Sequence, residues 1–280
     1  MFLSIILIFI FIFGLIIGSF LNCLIWRLHK KIPLTPFAKG GDEWKRSYCP
    51  KCSKQIAWYD NIPVLSFIML GGKCRSCGKR ISWQYPAVEF VTGLLFVVSF
   101  AINFQFSLVE PGQAIFNFQT IFNDQFSMKI LRDFFLVSVM IVVFIYDLRW
   151  YLILDIVTLP ACLVVLIFNL ILGFSLWNLL ISGIIGGSFF LIQFVISQGK
   201  WIGGGDIRLG LLIGLSLGWP GALVAIIISY FIGSIVGLGM ILTGKKQWGS
   251  EVPLGVFLAA GAIITLFYQE QILNWYLNIF

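Results

Sequence analysis

Residues 1–28, MFLSIILIFIFIFGLIIGSFLNCLIWRL, contain no charged side chain before Arg27. An apolar run of that length spans a hydrocarbon core of about 30 Å as a helix rising about 1.5 Å per residue. The run is too long for a signal peptide, has no basic residue ahead of it and is followed by no small-residue cleavage site, so it is expected to be a retained helix. Comparable runs recur near 86–104, 130–148, 151–173, 177–197, 206–218, 221–243 and 252–269, which predicts an all-α polytopic membrane protein of about eight transmembrane helices. Composition agrees: of 280 residues 59% are hydrophobic and 11% charged, and the mean hydropathy is +0.98, against roughly 25% charged in ordinary soluble domains.

Charge sets the orientation. Of 19 Lys and Arg, 12 fall between Arg27 and Arg80 against three acids, Asp42, Glu43 and Asp60, leaving that stretch at +9. Basic loops stay on the cytoplasmic side. The predicted organisation is transmembrane helix 1 over 1–28, a cytoplasmic loop domain over 29–85 and a seven-helix core over 86–280. The loop 105–128 falls outside, and the junctions near 147–150, 198–205 and 244–251 fall inside. Arg149, Lys200, Lys245 and Lys246 agree with this threading, whereas Lys129 and Arg132, at an outer end, do not. The basic residues are interleaved with cysteines rather than gathered in a separate domain, which argues against a nucleic-acid partner and for a lipid bilayer.

Within the basic loop stand Cys49-Pro-Lys-Cys52 and Cys74-Arg-Ser-Cys77, 21 residues apart. Two CxxC turns at such spacing suit a tetrahedral four-thiolate zinc site. Two disulfides or four unrelated thiols are the alternatives, disfavoured by a cytoplasmic loop and by the pairing itself. Four sulfur ligands leave no open position, so the metal is expected to be structural. Cys23 and Cys162 read as small buried hydrophobes. His29, the only histidine, leaves no plausible Ser/His/Asp or Cys/His arrangement.

Carboxylates in hydrocarbon cost roughly 2.5–3.5 kcal/mol each on translocon scales, so Glu89, Asp147, Asp155 and Asp206 each require a reason. The threading brings Asp147, at the end of the third span, and Asp206, at the start of the sixth after Gly203, Gly204 and Gly205, to the same face. Asp206 alone has a structural reading as a helix cap, and Arg149 is a possible partner for Asp147. Gly210, Gly214 and Gly218 continue the face of Asp206 and allow tight helix packing. Two carboxylates held close share a proton and divide the roles of general base and general acid, the chemistry of aspartyl proteolysis.

Several stretches together resemble the type IV prepilin peptidases, membrane aspartyl proteases of the GxGD class: Gly18-Ser-Phe-Leu-Asn22 with Arg27, Arg46-Ser-Tyr-Cys49-Pro-Lys-Cys52, Trp58-Tyr-Asp-Asn-Ile-Pro-Val64, Tyr85-Pro-Ala-Val-Glu89, Asp147 with Asp155, Gly203-Gly-Gly-Asp206-Ile-Arg-Leu209 and Pro253-Leu-Gly255. The resemblance covers nearly the whole chain. It implies a bacterial inner-membrane enzyme that cuts prepilins or pseudopilins at the cytoplasmic face, after the glycine ending a short basic leader. Asp147 and Asp206 would be the dyad, with Asp155, Glu89 and Gly203 to Gly205 in support. It also implies N-methylation of the new N-terminal residue from S-adenosylmethionine, with residues 27–85 as its seat. Leu154 where many relatives have proline, Ile202 where methionine is common and Arg208 where lysine is usual are departures. A proton- or metal-coupled transporter and an inactive secretion-system scaffold are the alternative readings. No oligomeric state is expressed in the sequence.

Overall fold

The computed structural model describes residues 2–30, 47–108, 124–244 and 252–278. The expected outer loop, Arg46, Lys245 and Lys246 lie wholly or largely outside them. Among the described residues the structure is nearly all helix, with two isolated β-bridges. We number the α-helices α1 Phe2–Lys30, α2 Leu65–Met69, α3 Gln84–Leu108, α4 Asp124–Trp150, α5 Asp155–Ile171, α6 Leu176–Ser197, α7 Gly204–Leu217, α8 Gly221–Leu242 and α9 Leu254–Leu277. Each predicted span is a helix, but among the described residues five helices are by length and composition apolar enough to cross a membrane: α1, α3, α6, α8 and α9. The other three fall short for physical reasons. Helix α4 carries Arg132, Asp133, Asp147 and Arg149, α5 is a shorter apolar helix, and the 14 residues of α7 rise only about 21 Å.

The chain divides into two compact units, Met1–Ala101 and Ile102–Phe280, so most of α3 lies with the cysteine loop. In the first unit α1 and α3 pack backbone to backbone. A Cβ on Gly14 would lie 2.6 Å from the Cα of Gly93, and one on Gly18 would lie 2.6 Å from the Cα of Glu89. Between lipid-soaked helices such van der Waals proximity replaces the hydrophobic drive available in water. Asn22 Nδ2 donates to the carbonyl of Tyr85 at 3.0 Å, and the Glu89 carboxylate accepts the N–H of Val64 at 2.7 Å.

In the second unit α7 is wrapped by its neighbours, with Leu209, Leu212 and Ile213 fully buried. The predicted small-residue face is what admits them: the backbone of Gly210 abuts Gly186 of α6, and that of Gly214 abuts Ser182 and Gly183. Gly218 departs from the expected ridge. It ends the helix at φ +64°, a conformation suited to glycine.

Two charges misread from the sequence are explained at the far end of this unit. Arg132, out of place in the charge pattern, and Asp133, not counted among the membrane acids, are both buried and bind each other. Arg132 Nη2 donates to Asp133 Oδ1 at 2.7 Å, and Asn103 donates to Oδ2 at 2.8 Å. Arg132 Nη1 donates to Asn169 Oδ1 at 3.0 Å. The Asn169 amide in turn donates to the Leu215 and Ser216 carbonyls at 2.8 and 3.0 Å, which the end of α7 leaves without helical partners.

Candidate active site and metal centre

Asp147 sits in the last turn of α4, where the partial negative charge of the helix end disfavours a carboxylate. The start of α9 supplies the compensation. Helix α9 begins after Pro253 with no side-chain cap of its own, and Asp147 Oδ2 accepts the N–H of Val256 at 3.2 Å. Asp147 thus serves as the missing cap, supplied from another helix. The approach needs glycine: a Cβ on Gly255 would stand 2.9 Å from Asp147 Oδ2. Arg149, the partner considered from sequence, lies over the ring of Trp150.

Asp206 is the third residue of α7, and its Oδ2 accepts the N–H of Gly203 at 2.9 Å. The capping role read from the sequence is therefore present in the structure. Both carboxylates are shielded, Asp147 to 4% exposure and Asp206 to 6%, and they lie close enough for the charge of Asp147 to act on Asp206.

Ile153, in the four-residue link between α4 and α5, was not singled out by sequence. Its Cβ would be 2.7 Å from a Cβ on Gly205, and its Cδ1 3.0 Å from one on Gly255. One side chain therefore spaces the start of α7 from the start of α9, and with them the two aspartates. Tyr230 of α8 also went unread: its hydroxyl donates to Gln193 Oε1 at 2.9 Å, and it lies within reach of the Asp206 charge. Asp155 pairs with Arg208 of α7, so it is a surface tie between α5 and α7. Glu89 belongs to the first unit, where it holds the N–H of Val64.

The four cysteines of the first unit converge. Their sulfurs all lie within 4.8 Å of one another, and Cys49 Sγ is 4.0 Å from Cys77 Sγ. Tetrahedral coordination with Zn–S of about 2.3 Å asks for sulfurs about 3.8 Å apart, so the donor set fits a metal. Each CxxC is the tip of a tight turn closed by the same bonds: Cys49 N to Lys54 O and Cys74 N to Lys79 O, both 2.9 Å. Ser53 and Gly78 hold the equivalent left-handed position at φ 55° and 66°. Backbone N–H groups of Cys77 and Ser76 hold the Cys74 thiol down at about 7, whereas crowding by the Cys49 and Cys77 thiols helps push Cys52 up to about 11, so the convergence of the four sulfurs is what fits a metal. Beside the cluster, Arg75 forms a two-pronged bond with Asp60, Nε to Oδ2 at 2.8 Å and Nη2 to Oδ1 at 2.7 Å, holding that carboxyl below its usual range. Cys162 is buried and Cys23 partly so.

Residues 12–104 match the family model for the bacterial peptidase A24 N-terminal domain, and residues 134–238 match that of the type IV leader peptidase family. The chain is 31% identical to the prepilin leader peptidase/N-methyltransferase of Aeromonas hydrophila, covering 97% of this chain and 93% of that protein. It is 32% identical to the protein of the same name from Bacillus subtilis strain 168, covering 96% and 97%, and 29% identical to that of Pseudomonas aeruginosa, covering 95% and 91%. No solved structure matches. Near-complete coverage on both sides, at identities around 30%, places the chain in the prepilin leader peptidase/N-methyltransferase family.

Proposed function

We propose that this chain is a multi-pass inner-membrane aspartyl endopeptidase that removes the leader of type IV prepilins or pseudopilins, with Asp147 and Asp206 as its dyad, and that it then N-methylates the new terminus. The observation that carries the peptidase is the burial of two carboxylates from different helices around one side chain, since Ile153 packs against Gly205 beside Asp206 and against Gly255, which abuts Asp147. Two such groups resist joint ionisation and hold one proton between them. The ionised carboxylate takes a proton from water as the water oxygen bonds to the scissile carbonyl carbon. The protonated partner hydrogen-bonds the carbonyl oxygen as charge develops there, and the departing amine receives a proton as the C–N bond breaks. A Cβ on Gly204 would meet nothing within 4 Å, so that position stands open to a substrate backbone, whereas Gly205 and Gly255 make room for Ile153 and Asp147.

The basic stretch Arg27–Arg80 supports a cytoplasmic active face. Cys49, Cys52, Cys74 and Cys77 would hold a structural zinc. S-adenosylmethionine, when bound, supplies the methyl group, with residues 27–85 the proposed seat of that step. The test is incubation of purified protein with a prepilin and S-adenosylmethionine, followed by mass spectrometry of the product: leader loss establishes the peptidase, and a further methyl on the new terminus establishes the transferase.

A further inference from the structure

The segment between the cysteine pairs, Asn61-Ile-Pro-Val-Leu-Ser-Phe-Ile-Met-Leu-Gly-Gly72, carries no charge, although the turns on either side of it hold Lys51, Lys54, Lys73, Arg75, Lys79 and Arg80. It is far from covered: Ile68 is 67% exposed and Met69 76%, with Ile62 and Leu65 exposed beside them. In water such a face would be costly.

Its depth follows from contacts within the first unit. Arg27 is the first charge in α1, and Tyr48 packs on Trp26 with ring centroids 5.2 Å apart, so the first cysteine turn stands near the level of Arg27. Gly18 lies nine residues earlier in α1, about 13 Å along the axis. It is at that lower level that Gly18 meets Glu89, and Glu89 in turn holds the N–H of Val64. The chain therefore descends from the cysteine turns to Val64, at φ 59° and ψ −49°, and the Leu65 N–H closes onto the Pro63 carbonyl at 2.5 Å. That tight turn is strained for a β-branched residue and persists only when its surroundings hold it. Helix α2 starts from this turn. Trp83, 75% exposed and set at the entry to α3, has its ring against Phe67 at 4.9 Å.

We propose that Ile62–Leu70, with α2 at its centre, is inserted into the headgroup–acyl boundary of the bilayer that holds α1 and α3, rather than lying in the aqueous loop. The occupant of the exposed face is lipid. Apolar side chains enter the acyl margin, Trp58 and Trp83 occupy the interface favoured by amphipathic rings, and the basic cysteine turns meet anionic headgroups. The metal cluster is thereby fixed at the membrane surface. The inference rests on reading α1 and α3 as membrane spans.

The test uses full-length protein in phosphatidylethanolamine–phosphatidylglycerol vesicles doped with a phospholipid bearing an acyl-chain diazirine. After irradiation, adducts are mapped by mass spectrometry, a readout that needs neither cleavage nor methylation. Adducts on the peptide containing Leu65–Met69, falling several-fold in Ile68→Asp with metal content unchanged, are expected. Labelling of α1 and α3 with none on 62–70 would overturn the proposal and leave the membrane reading standing. Labelling on 62–70 that vanishes when excess uncut prepilin is added would overturn it in favour of a substrate-binding face.

Discussion

The Asp147 carboxylate accepts the N–H of Val256 at 3.2 Å, so a side chain from the end of α4 caps the start of α9. The contact binds the stability of α9 to the placement of a candidate catalytic group. It also explains Gly255, whose missing Cβ leaves room for that carboxylate.

Gly255→Ala should therefore push Asp147 and Ile153 apart. Overpacking of this kind costs typically 1–3 kcal/mol, and a displacement of the carboxylate by about 1 Å should slow cleavage on the order of a hundredfold. Turnover and thermal unfolding of the purified variant check both; wild-type turnover would show that the carboxylate tolerates the methyl group.

Ile153 makes a sharper distinction between spacing and bulk. Ile153→Ala should lower kcat with KM little changed, because the aspartate spacing relaxes while the substrate path stays open. Ile153→Val, which keeps a Cγ carbon beside Gly205 but lacks the Cδ1 that meets Gly255, should recover part of the rate. Equal loss in both variants would argue that Ile153 does not set the spacing.

The Asp155–Arg208 pair predicts a small effect. Both side chains are nearly half exposed, and such pairs contribute about 0–1 kcal/mol. Asp155→Asn should leave the melting temperature nearly unchanged and cleavage largely intact, in contrast to Asp147. A collapse of activity would move Asp155 into the catalytic set.

At the far end of the second unit, Asp133→Leu leaves the Arg132 guanidinium buried without its carboxylate, a loss of about 3–5 kcal/mol. The double change Arg132→Met with Asp133→Leu should recover most of that stability. Chemical denaturation of the two variants checks the sign.

The metal centre should bind about one zinc per chain, lost in Cys49→Ser together with Cys52→Ser. Gly78→Val should weaken it through the left-handed backbone position, whereas Ser53→Gly should be neutral or stabilising. Metal analysis after gel filtration gives both results.

Much of the fold was legible because lipid imposes a simple rule: apolar runs of sufficient length become helices, and each predicted span did. The rule failed where side chains satisfy one another, since Arg132 and Asp133 are neutralised by contacts with Asn103 and Asn169 that no local pattern encodes. The four cysteines were legible from the spacing of their two CxxC pairs, and the aspartates stood out as candidates because carboxylates in hydrocarbon are costly without a purpose. Ile153 and Tyr230 were not, since an isoleucine in a link and a tyrosine in an apolar helix carry no such cost. Their relation to the site arises only when α7, α8 and α9 pack.

The central claim is that Asp147 and Asp206 cleave the leader together. Prepilin cleavage should be measured with purified wild-type protein, Asp147→Asn and Asp206→Asn, each shown to be folded by its melting transition. Loss of cleavage in both single variants is the predicted result. Substantial cleavage by either folded variant would contradict the account.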